Sequence, residues 1–483
     1  MSPLLARTLV FVAAASVLVL EILAGRLLAP FVGITLETFT GIIGTVLAGI
    51  AVGAWLGGLA ADRYPPRPLI APLFVVGGVL AIAAAPLVGA VGPSMRAAGP
   101  AEIVILAAIA FFLPAAVLSA ISPIVAKIEL ETLDETGTVV GGLSAVGTVG
   151  AIFGTFFTGF VLIATIPTRP ILIGLGVVLI AIGGGLWVQA RRASLLSAVI
   201  IPVALALGLN VVVAEPCDQE TAYYCTSVEA DADRSPGRVL VLDTLSHSYV
   251  DLEDPTYLGF RYSRLFAAVF ATLPPGPLDV LSIGGGGFTL PRYLNEIRPG
   301  TSNTVLELDQ TLVDIAEQEL GLDPTSMTIE IGDARLLLAE QPDTAYDIVI
   351  GDAFGGLSVP WHLTTSEFAE AIHERLRPGG IYILNMIDYP PLDFAKAEAA
   401  TLAAVFPHAA VIAPAAYVAG DRGGNFVMIG SPAPIPVDAI SSGIVGFEGE
   451  PIVITGAALD AFIADARVLR DDFAPVDQLI SRP

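Results

Sequence analysis

The sequence has little charge, and positive charge is especially scarce. Charged residues make up 14% of its 483 positions, and 23 Lys and Arg stand against 47 Asp and Glu. Soluble domains have about a quarter of their residues charged, so a chain that is soluble throughout is excluded. The scarcity of basic residues also argues against nucleic acid as a partner, because an acidic surface repels phosphate backbones.

Cysteine and histidine are scarce as well, with two and four residues. Cys217 and Cys225 are separated by eight positions with no histidine nearby, whereas zinc ligands come in close pairs. The sequence therefore predicts no metal site, and it contains no recognisable nucleophilic triad. Two interpretations of the cysteines stay open: two buried free thiols, or a disulfide, which requires an oxidising compartment.

The charge is divided unevenly along the chain. Residues 1–213 carry 9 basic and 8 acidic residues, whereas residues 214–483 carry 14 and 39. The formal charge is therefore +1 on the first part and −25 on the second, and the chain consists of two unlike pieces. The acidic piece would attract a polycationic ligand, but a high-salt habitat or plain solubility explains the same charge.

Apolar runs of about 20 residues recur through the first piece, and each is long enough to cross about 30 Å of hydrocarbon as a helix. The runs are Leu4–Leu23, Thr38–Ala60, Leu69–Val91, Ala101–Val125, Val139–Ile163, Pro170–Val188 and Ser194–Val213. They predict a multi-pass membrane domain of about seven helices in the lipid bilayer. The second and fifth runs are rich in glycine, which lets helix backbones approach closely, so we expect these two helices inside the bundle.

Ionisable residues are rare in this apolar piece. Glu21 and Arg26 lie near one end of the first span, and Glu37 opens the second. Charged groups at a bilayer are costly, so they usually pair or face a polar cavity. Glu21 and Arg26 are therefore either a structural pair at the membrane edge or part of a path for a substrate or ion.

Basic residues predict the orientation of the spans. If the amino terminus is inside, inward segments hold six basic residues and outward loops hold three, as the positive-inside rule favours. The six are Arg7, Arg63, Arg67, Lys127, Arg191 and Arg192, and the three are Arg26, Arg96 and Arg169. Seven spans would place residue 214 onward outside the cytoplasm. The segment Gly57-Gly-Leu-Ala-Ala-Asp-Arg-Tyr-Pro-Pro-Arg67 also resembles, in part, the cytoplasmic Gly-x-x-x-Asp-Arg-x-Gly-Arg-Arg loop of major facilitator transporters.

Beyond residue 213 the pattern changes to short apolar strands that alternate with helices. The strand-like runs are Leu278–Ile283, Thr304–Leu308, Met327–Ile331, Tyr346–Gly351, Ile381–Met386, Ala409–Ile412 and Asn425–Ile429. The alternation predicts a mostly parallel sheet with helices on both faces, a doubly wound Rossmann-like domain. We expect a transmembrane domain (1–213), a β-hairpin region and linking helix (214–275), the Rossmann-like domain (276–430) and an extension (431–483) that closes the sheet or lies across it.

Polar residues and glycines follow successive strands of this predicted sheet, where such folds bind ligands. Four glycines, Gly284 to Gly287, follow the first strand and let a ligand approach the backbone. Glu307 and Asp309 end the second strand, where a carboxylate can accept hydrogen bonds from a ribose. Asp333 follows the third strand and Asp352 the fourth. Each carboxylate alone is also explained as a helix N-cap or a solvated turn.

These motifs resemble those of the spermidine synthase family, which has the S-adenosylmethionine methyltransferase fold. The resemblance covers residues 220–415, and the whole chain is similar to fused major facilitator/spermidine synthase proteins. It implies a donor, decarboxylated S-adenosylmethionine or S-adenosylmethionine, and no metal. It further implies that Gly284, Gly285 and Gly286 hold the methionine-derived part, Glu307 with Asp309 the ribose, Asp333 with Ala334 the adenine, and that Asp352 is the catalytic base.

The chain departs from the family pattern at three places. Gly287 stands where the family has an Asp that binds the donor's amino group, and His247 stands for a Gln. The family's Asp-x-x-Asp-Pro loop becomes Asp352-Ala-Phe-Gly-Gly356, without the second carboxylate. Because carboxylates offset the cost of desolvating ammonium ions, their loss predicts an acceptor other than putrescine.

Other polar residues near these motifs are candidates for the substrate site. His362 is predicted as a second catalytic residue, because histidine moves protons near neutral pH. His247, Tyr249, Trp361 and Asp388 are predicted to contact substrate. For each histidine a purely structural hydrogen-bonding role is the alternative.

Together these features predict a multi-pass cell-membrane protein with a spermidine synthase-like transferase domain of polyamine biosynthesis type. It would transfer an aminopropyl or methyl group to a small amine or polyamine. The rival is a transporter or sensor whose degenerate nucleoside-binding domain does not turn over. The sequence leaves open the acceptor, any transported species and the oligomeric state, and it slightly favours an extracytoplasmic domain.

Overall fold

A computed structural model of the chain describes residues 1–95, 100–130, 136–190 and 197–482. Within these residues the chain divides into two units, Met1–Thr226 and Ser227–Pro483. Three of the basic residues used to predict the orientation of the spans lie outside the described residues: Arg96, Arg191 and Arg192.

The first unit is helical. Its α-helices are α1 (Pro3–Val32), α2 (Leu36–Arg63), α3 (Arg67–Val91), α4 (Pro100–Ala107), α5 (Leu113–Ser119), α6 (Ile121–Glu129), α7 (Thr136–Phe157), α8 (Ile163–Thr165), α9 (Thr168–Gln189) and α10 (Ser197–Val212). Short π-helical turns join α4 to α5 and α7 to α8.

Six helical segments of the described chain are long and apolar enough to cross a membrane, judged by length and composition alone. They are Pro3–Val32, Leu36–Arg63, Arg67–Met95, Ala101–Glu129, Thr136–Thr165 and Thr168–Gln189. The seventh predicted span is the shorter helix α10, whose 16 residues extend about 24 Å at 1.5 Å per residue. The helical membrane-type domain is thus confirmed, with six long helices and one short one.

Glycines do form close helix contacts, although neither of the two glycine-rich helices is more than one-third buried. A Cβ at Gly53 would lie 2.0 Å from the backbone oxygen of Ala116, and one at Gly150 would lie 2.4 Å from that of Phe11. Only 33% of the α2 window and 17% of the α7 window are buried within the chain. The expectation that both helices lie inside the bundle was wrong, because only some of the glycines make close contacts; a Cβ at Gly44 or Gly58 of α2, or at Gly141 or Gly142 of α7, meets nothing within 4 Å.

Arg26 pairs with Glu220 and not with Glu21. Its Nε donates to Glu220 Oε1 at 3.0 Å, and its other nitrogens donate to the carbonyls of Thr221 and Ala222. Glu21 and Arg26 are five residues apart, so they lie on different faces of α1, whereas helix neighbours are three or four apart. Glu220 also accepts a hydrogen bond at 2.8 Å from the amide of Thr168, the first residue of α9.

The strands of the chain are β1 (Gln219–Glu220), β2 (Cys225–Ala230), β3 (Gly237–Leu242), β4 (Leu245–Asp251), β5 (Asp279–Ile283), β6 (Ser302–Glu307), β7 (Thr328–Ile331), β8 (Tyr346–Gly351), β9 (Leu376–Asp388), β10 (His408–Pro414), β11 (Gly424–Ser431) and β12 (Pro451–Thr455). Strands β3 and β4 form an antiparallel hairpin. Cys217 and Cys225 form a disulfide.

The second unit contains an eight-stranded sheet in the order β12-β10-β11-β9-β8-β5-β6-β7. Strands β5 to β9 pair in parallel, and β9, β10, β11 and β12 pair antiparallel. The helices around it are α11 (Arg261–Phe270), α12 (Thr289–Ile297), α13 (Gln310–Glu319), α14 (Ala334–Leu338), α15 (Ser366–Arg375), α16 (Asp393–Val405), α17 (Ala415–Val418), α18 (Val437–Gly443), α19 (Ala457–Ile463) and α20 (Val476–Leu479). The predicted Rossmann-like fold is confirmed, and part of the C-terminal extension supplies the edge strand β12.

The sheet buries apolar side chains on both faces, as central parallel strands require. On β5, Leu281 and Ile283 belong to one apolar cluster and Val280 belongs to the other. Helix α11 packs on this second cluster through Phe266 and Phe270, which are fully buried. This packing fixes the first turn of α11 above the carboxyl ends of the parallel strands.

Candidate active site

The glycine loop after β5 needs glycine for space and conformation. Gly284 has φ +91° and Gly286 has φ +51°, in the left-handed region that favours glycine. A Cβ at Gly284 would lie 2.7 Å from the backbone oxygen of Asp352. The amide of Gly284 also donates to the Leu306 carbonyl at 2.9 Å. The loop is therefore held against the ends of the neighbouring strands.

Glu307 lies buried directly across this loop. Its Oε2 accepts hydrogen bonds from the amides of Gly285 (2.8 Å) and Gly286 (3.3 Å), and its Oε1 accepts one from the amide of Asp309 (3.0 Å). Burial raises the pKa of Glu307, and these three backbone donors oppose the rise. Each carboxylate oxygen has two acceptor positions, so Oε1 can accept one further hydrogen bond, whereas both positions of Oε2 are used.

Asp309 and Asp333 cap the helices that follow their strands. Asp309 accepts a hydrogen bond at 3.0 Å from the amide of Thr311, and Asp333 accepts one at 2.8 Å from the amide of Arg335. Both are therefore helix N-caps, which the sequence had left open. Asp333 Oδ2 also lies 3.2 Å from Nε2 of His362. Ala334, the first residue of α14, follows directly.

Asp352 is held by two side chains. The hydroxyl of Tyr262 donates to Oδ2 at 2.8 Å, and Nδ2 of Asn385 donates to Oδ1 at 3.0 Å. Nδ2 of Asn425 donates to the amide oxygen of Asn385 at 2.9 Å, which fixes the orientation of that amide. Burial raises the pKa of Asp352 to about 6, and the hydrogen bonds from Asn385 and Tyr262 limit the rise. A carboxylate with this pKa is ionised at neutral pH and can accept a proton.

A cavity of about 370 Å³ adjoins this group. Both partners of Asp352, Tyr262 and Asn385, line it. His247 lines it too, and its ring lies edge-on to Phe354 at 6.2 Å. Burial lowers the pKa of His247 to about 4, so this imidazole is neutral at physiological pH. The cavity lies in the size range of small-molecule sites.

Residues 259–411 match the family model of the spermine/spermidine synthase domain. The C-terminal half of the chain contains a spermidine synthase domain. The match begins two residues before α11 and ends within β10, so it contains the glycine loop, Glu307, Asp333 and Asp352 but not the β3–β4 hairpin.

Curated relatives are similar to this part of the chain. A probable polyamine aminopropyl transferase of Bifidobacterium longum is 29% identical over 28% of this chain and 30% of its own length. A polyamine aminopropyltransferase of Vibrio vulnificus is 28% identical over 48% of this chain and 79% of its own length. A probable spermidine synthase structure from Corynebacterium glutamicum is 28% identical, with a TM-score of 0.49 over 55% of this chain and 98% of that one. The chain thus spans less than a third of the first relative and more than three quarters of the second.

The synthase domain has no room for a carboxylate at Gly287, the first departure from the family. A Cβ there would lie 2.8 Å from Cβ of Ser248 and 2.9 Å from Cγ2 of Val250. The amide of Gly287 donates to Ser248 Oγ at 2.9 Å. The hairpin strand β4 therefore occupies the space that an Asp side chain would need.

Three of the predicted substrate residues are not at this cavity. Tyr249 donates its hydroxyl to Asp231 at 2.7 Å, and Trp361 is 51% exposed with its ring against His362. Asp388 is fully buried and accepts hydrogen bonds from the amides of Tyr389, Ala395 and Ser481 at 2.8 to 2.9 Å. The prediction for Asp388 was wrong in this structure, because backbone amides surround a carboxylate that lies beneath α16.

His362 lies on the adenine side of the predicted donor site, and not beside Asp352. Its ring contacts Asp333, and its carbonyl accepts a hydrogen bond at 2.6 Å from Arg335. No hydrogen bond joins it to Asp352 in the described part of the chain. We therefore assign His362 no proton transfer at Asp352.

Sequence reasoning missed the partners of Asp352. Tyr262 shares the apolar stripe of α11 with Phe266 and Phe270, so its spacing indicated a core residue. A buried tyrosine hydroxyl nevertheless needs a partner, which was the available signal. Asn385 and Asn425 are amides within apolar strands, and buried amides are likewise hydrogen-bonded as a rule. Within the described residues, no group of three or more potential metal ligands is found.

Proposed function

We propose that the synthase domain transfers an aminopropyl or methyl group from an S-adenosyl donor to an amine. The observation that carries the proposal is Asp352, an acidic group held by Tyr262 and Asn385 at a cavity and joined through the backbone to the glycine loop. The amide of Asp352 donates to the Ile283 carbonyl at 2.9 Å, which places the base next to the start of that loop. The aminopropyl transferase names of two relatives agree with this proposal.

The residues of the glycine loop fit the donor. Glycines at positions 284 and 286 allow the loop to pack against Asp352 and Ser248, and Glu307 presents a buried carboxylate to the loop. Glu307 would accept hydrogen bonds from the ribose, and the loop would admit the methionine-derived chain. The donor supplies a sulfonium-bound carbon that an amine can attack.

Asp352 would prepare the acceptor. An amine reaches the cavity as an ammonium ion, and its nitrogen becomes nucleophilic when one proton passes to the Asp352 carboxylate. The nitrogen then forms a bond to the carbon while the carbon–sulfur bond breaks, and the electron pair stays on sulfur. Tyr262 and Asn385 would keep both carboxylate oxygens oriented during this transfer.

Because position 287 is a glycine and not an Asp, the proposal includes methyl transfer as well as aminopropyl transfer. The family uses an Asp at this position for the donor's amino group, and here Ser248 and Val250 fill its space. The site thus lacks the group that would select a decarboxylated donor. Incubation of the full-length protein with each donor and a set of amines, followed by mass measurement of products, distinguishes the two transfers.

The same feature favours a second candidate, a domain that binds nucleoside without turnover. Gly287 and the loop Asp352-Ala-Phe-Gly-Gly356 each lack a carboxylate that the family has. If no product forms with either donor while adenosyl ligands bind, the domain is a sensor or a regulator of the membrane helices. Asp352→Asn should then leave the affinity for adenosyl ligands unchanged.

We also propose that residues around the disulfide lie outside the cytoplasm. Cys217 and Cys225 are joined, and structural disulfides persist in oxidising compartments. The charge asymmetry of the loops agrees with this side when α10 crosses the membrane together with the six long helices. A maleimide that cannot cross the membrane should label intact cells only after external reduction. Labelling that requires permeabilised cells, and no reductant, would place this region inside.

A further inference from the structure

The cavity beside Asp352 has an unusual charge for a polyamine site. Arg261, the first residue of α11, is the one permanently charged residue among its described lining residues, and none of them is Asp or Glu. His247 in the same wall is neutral at physiological pH. Asp352 is not itself a lining residue but is hydrogen-bonded to the lining residues Tyr262 and Asn385, so the wall presents a cation and no carboxylate.

The Arg261 guanidinium keeps hydrogen-bonding capacity. Its Nη1 donates to the Tyr417 hydroxyl at 3.2 Å, and its Nη2 lies 3.3 Å from Glu448 Oε1. The Glu448 side chain is 74% exposed, and an ion pair with such an exposed partner contributes little. Nε of Arg261 is shielded from solvent and has no acceptor in the described part of the chain. Because Nε is shielded, a ligand would be bound by the second hydrogens of Nη1 and Nη2, and a guanidinium can bind a carboxylate in this way with two parallel hydrogen bonds.

A diamine does not suit this arrangement. If one ammonium group lies at Asp352, the other meets Arg261 in the same cavity, and the two positive charges repel each other. A ligand with an amine at one end and a carboxylate at the other satisfies both Asp352 and Arg261. Leu245, Phe260 and Phe354 provide apolar wall for the carbon chain between them.

We propose that this cavity binds a carboxylate group at Arg261, so that the substrate class is an amino acid rather than a diamine. The inference rests on the proposed function of the site. The carboxylate belongs either to the acceptor or to the methionine-derived tail of a donor that has not been decarboxylated, and the binding experiment below separates these sources.

The experiment compares ligands that differ only in a carboxylate. Full-length protein in detergent is titrated calorimetrically with ω-amino acids and with the diamines of the same chain length: β-alanine with propanediamine, γ-aminobutyrate with putrescine, δ-aminovalerate with cadaverine. A second series compares S-adenosylhomocysteine with its decarboxylated analogue. We expect the carboxylate-bearing member of at least one pair to bind about tenfold more tightly or better.

Three variants assign that preference to Arg261. Arg261→Gln should abolish it without weakening the diamine or the decarboxylated nucleoside, and Arg261→Lys should retain part of it because the charge remains. Arg264→Gln is the matched control, since Arg264 is an exposed arginine of the same helix that does not line the cavity. Unfolding temperatures measured for each variant show whether Arg261→Gln has folded, and Arg261→Lys carries the test if it has not.

The outcomes are distinct. If the protein prefers amino acids to diamines and the preference depends on Arg261, the carboxylate belongs to the acceptor. If it prefers S-adenosylhomocysteine to the decarboxylated analogue and this preference depends on Arg261, the carboxylate belongs to the donor. Absence of any preference in both series, or a preference that survives in Arg261→Gln, overturns the inference. Failure of every adenosyl ligand to bind contradicts the proposed function instead, while the amino acid series still decides about Arg261.

Discussion

Glu307 ends β6 and Asp352 follows β8, the two strands that flank β5 and its glycine loop, but they receive their hydrogen bonds from different sources. Backbone amides of Gly285, Gly286 and Asp309 donate to Glu307. Side chains of Tyr262 and Asn385 donate to Asp352. The proposed donor side of the site is therefore defined by the chain path, whereas the proposed acceptor side is defined by the side chains that the fold brings together.

This difference separates two kinds of property. Backbone donors are retained in every substitution except one to proline, so the position of Glu307 follows from the fold itself. Side-chain donors can be exchanged one at a time, so the acidity of Asp352 can be changed without moving a strand. We expect variants on the donor side to change affinity or stability, and variants on the acceptor side to change rate and pH dependence.

The largest effect is expected for Asp352→Asn. The amide keeps the shape of the carboxylate but accepts no proton, so the turnover of an active enzyme should fall about a hundredfold to ten-thousandfold. Nucleoside affinity should stay close to that of the wild type, because Glu307 is untouched. Steady-state rates and calorimetry on the same preparation check both statements, and an equal loss of affinity and rate would contradict the division into two sides.

Glu307→Gln tests the opposite side. The amide replaces one acceptor oxygen with a donor that faces backbone N–H groups, and a hydrogen bond to a charged group contributes about 1.5–3 kcal/mol. We expect adenosyl ligands to bind at least about tenfold more weakly. Glu296→Gln is the control, since Glu296 is exposed on α12. Unchanged affinity in Glu307→Gln would remove the ribose interaction from the proposal.

Gly287→Ala tests whether the hairpin excludes a side chain from the loop. The new Cβ would lie within 2.9 Å of Ser248 and Val250, so we expect a loss of about 1–3 kcal/mol in unfolding free energy, as for other overpacked sites. Gly379→Ala is the control, because a Cβ there meets nothing within 4 Å. Equal stability of the two variants, measured by denaturant unfolding, would show that β4 can move away from the loop at little cost. A carboxylate could then be accommodated at position 287.

Tyr262→Phe is expected to give the smallest change, a shift in pH dependence. The Tyr262 hydroxyl stabilises the ionised form of Asp352, so its loss should raise the pKa of that carboxyl above its value of about 6. Activity that needs ionised Asp352 should then fall off at a higher pH on the acid side, with little change at alkaline pH. Tyr249→Phe should leave the profile of kcat/KM unchanged, because that hydroxyl is bonded to Asp231. Identical shifts in both variants would argue against a specific effect of Tyr262.

The secondary structure was predictable where apolar residues recur at neighbouring positions. Strand β5 could be recognised from its apolar run, and the apolar helices from their length, because burial imposes these patterns on neighbouring positions. The strand-end position of Glu307 and Asp352 follows from the same reasoning. Their roles in binding and proton transfer stay predictions.

The parts that could not be predicted depend on residues that are distant in sequence. Arg26 pairs with Glu220, 194 positions away, and Tyr262 reaches Asp352 across 90 positions. Asp388 was predicted to contact substrate, but the packing of α16 and the carboxyl-terminal residues encloses it. Contacts between such distant residues produce no periodic pattern in the sequence.

Asn425 contacts neither Asp352 nor the glycine loop, yet it determines which end of the Asn385 amide faces the carboxylate. An acceptor side chain at position 425 would turn that amide around and present oxygen to oxygen. A substitution at position 425, on an antiparallel strand, can therefore change the pKa of Asp352 during evolution. Asp352 and its direct partners stay the same.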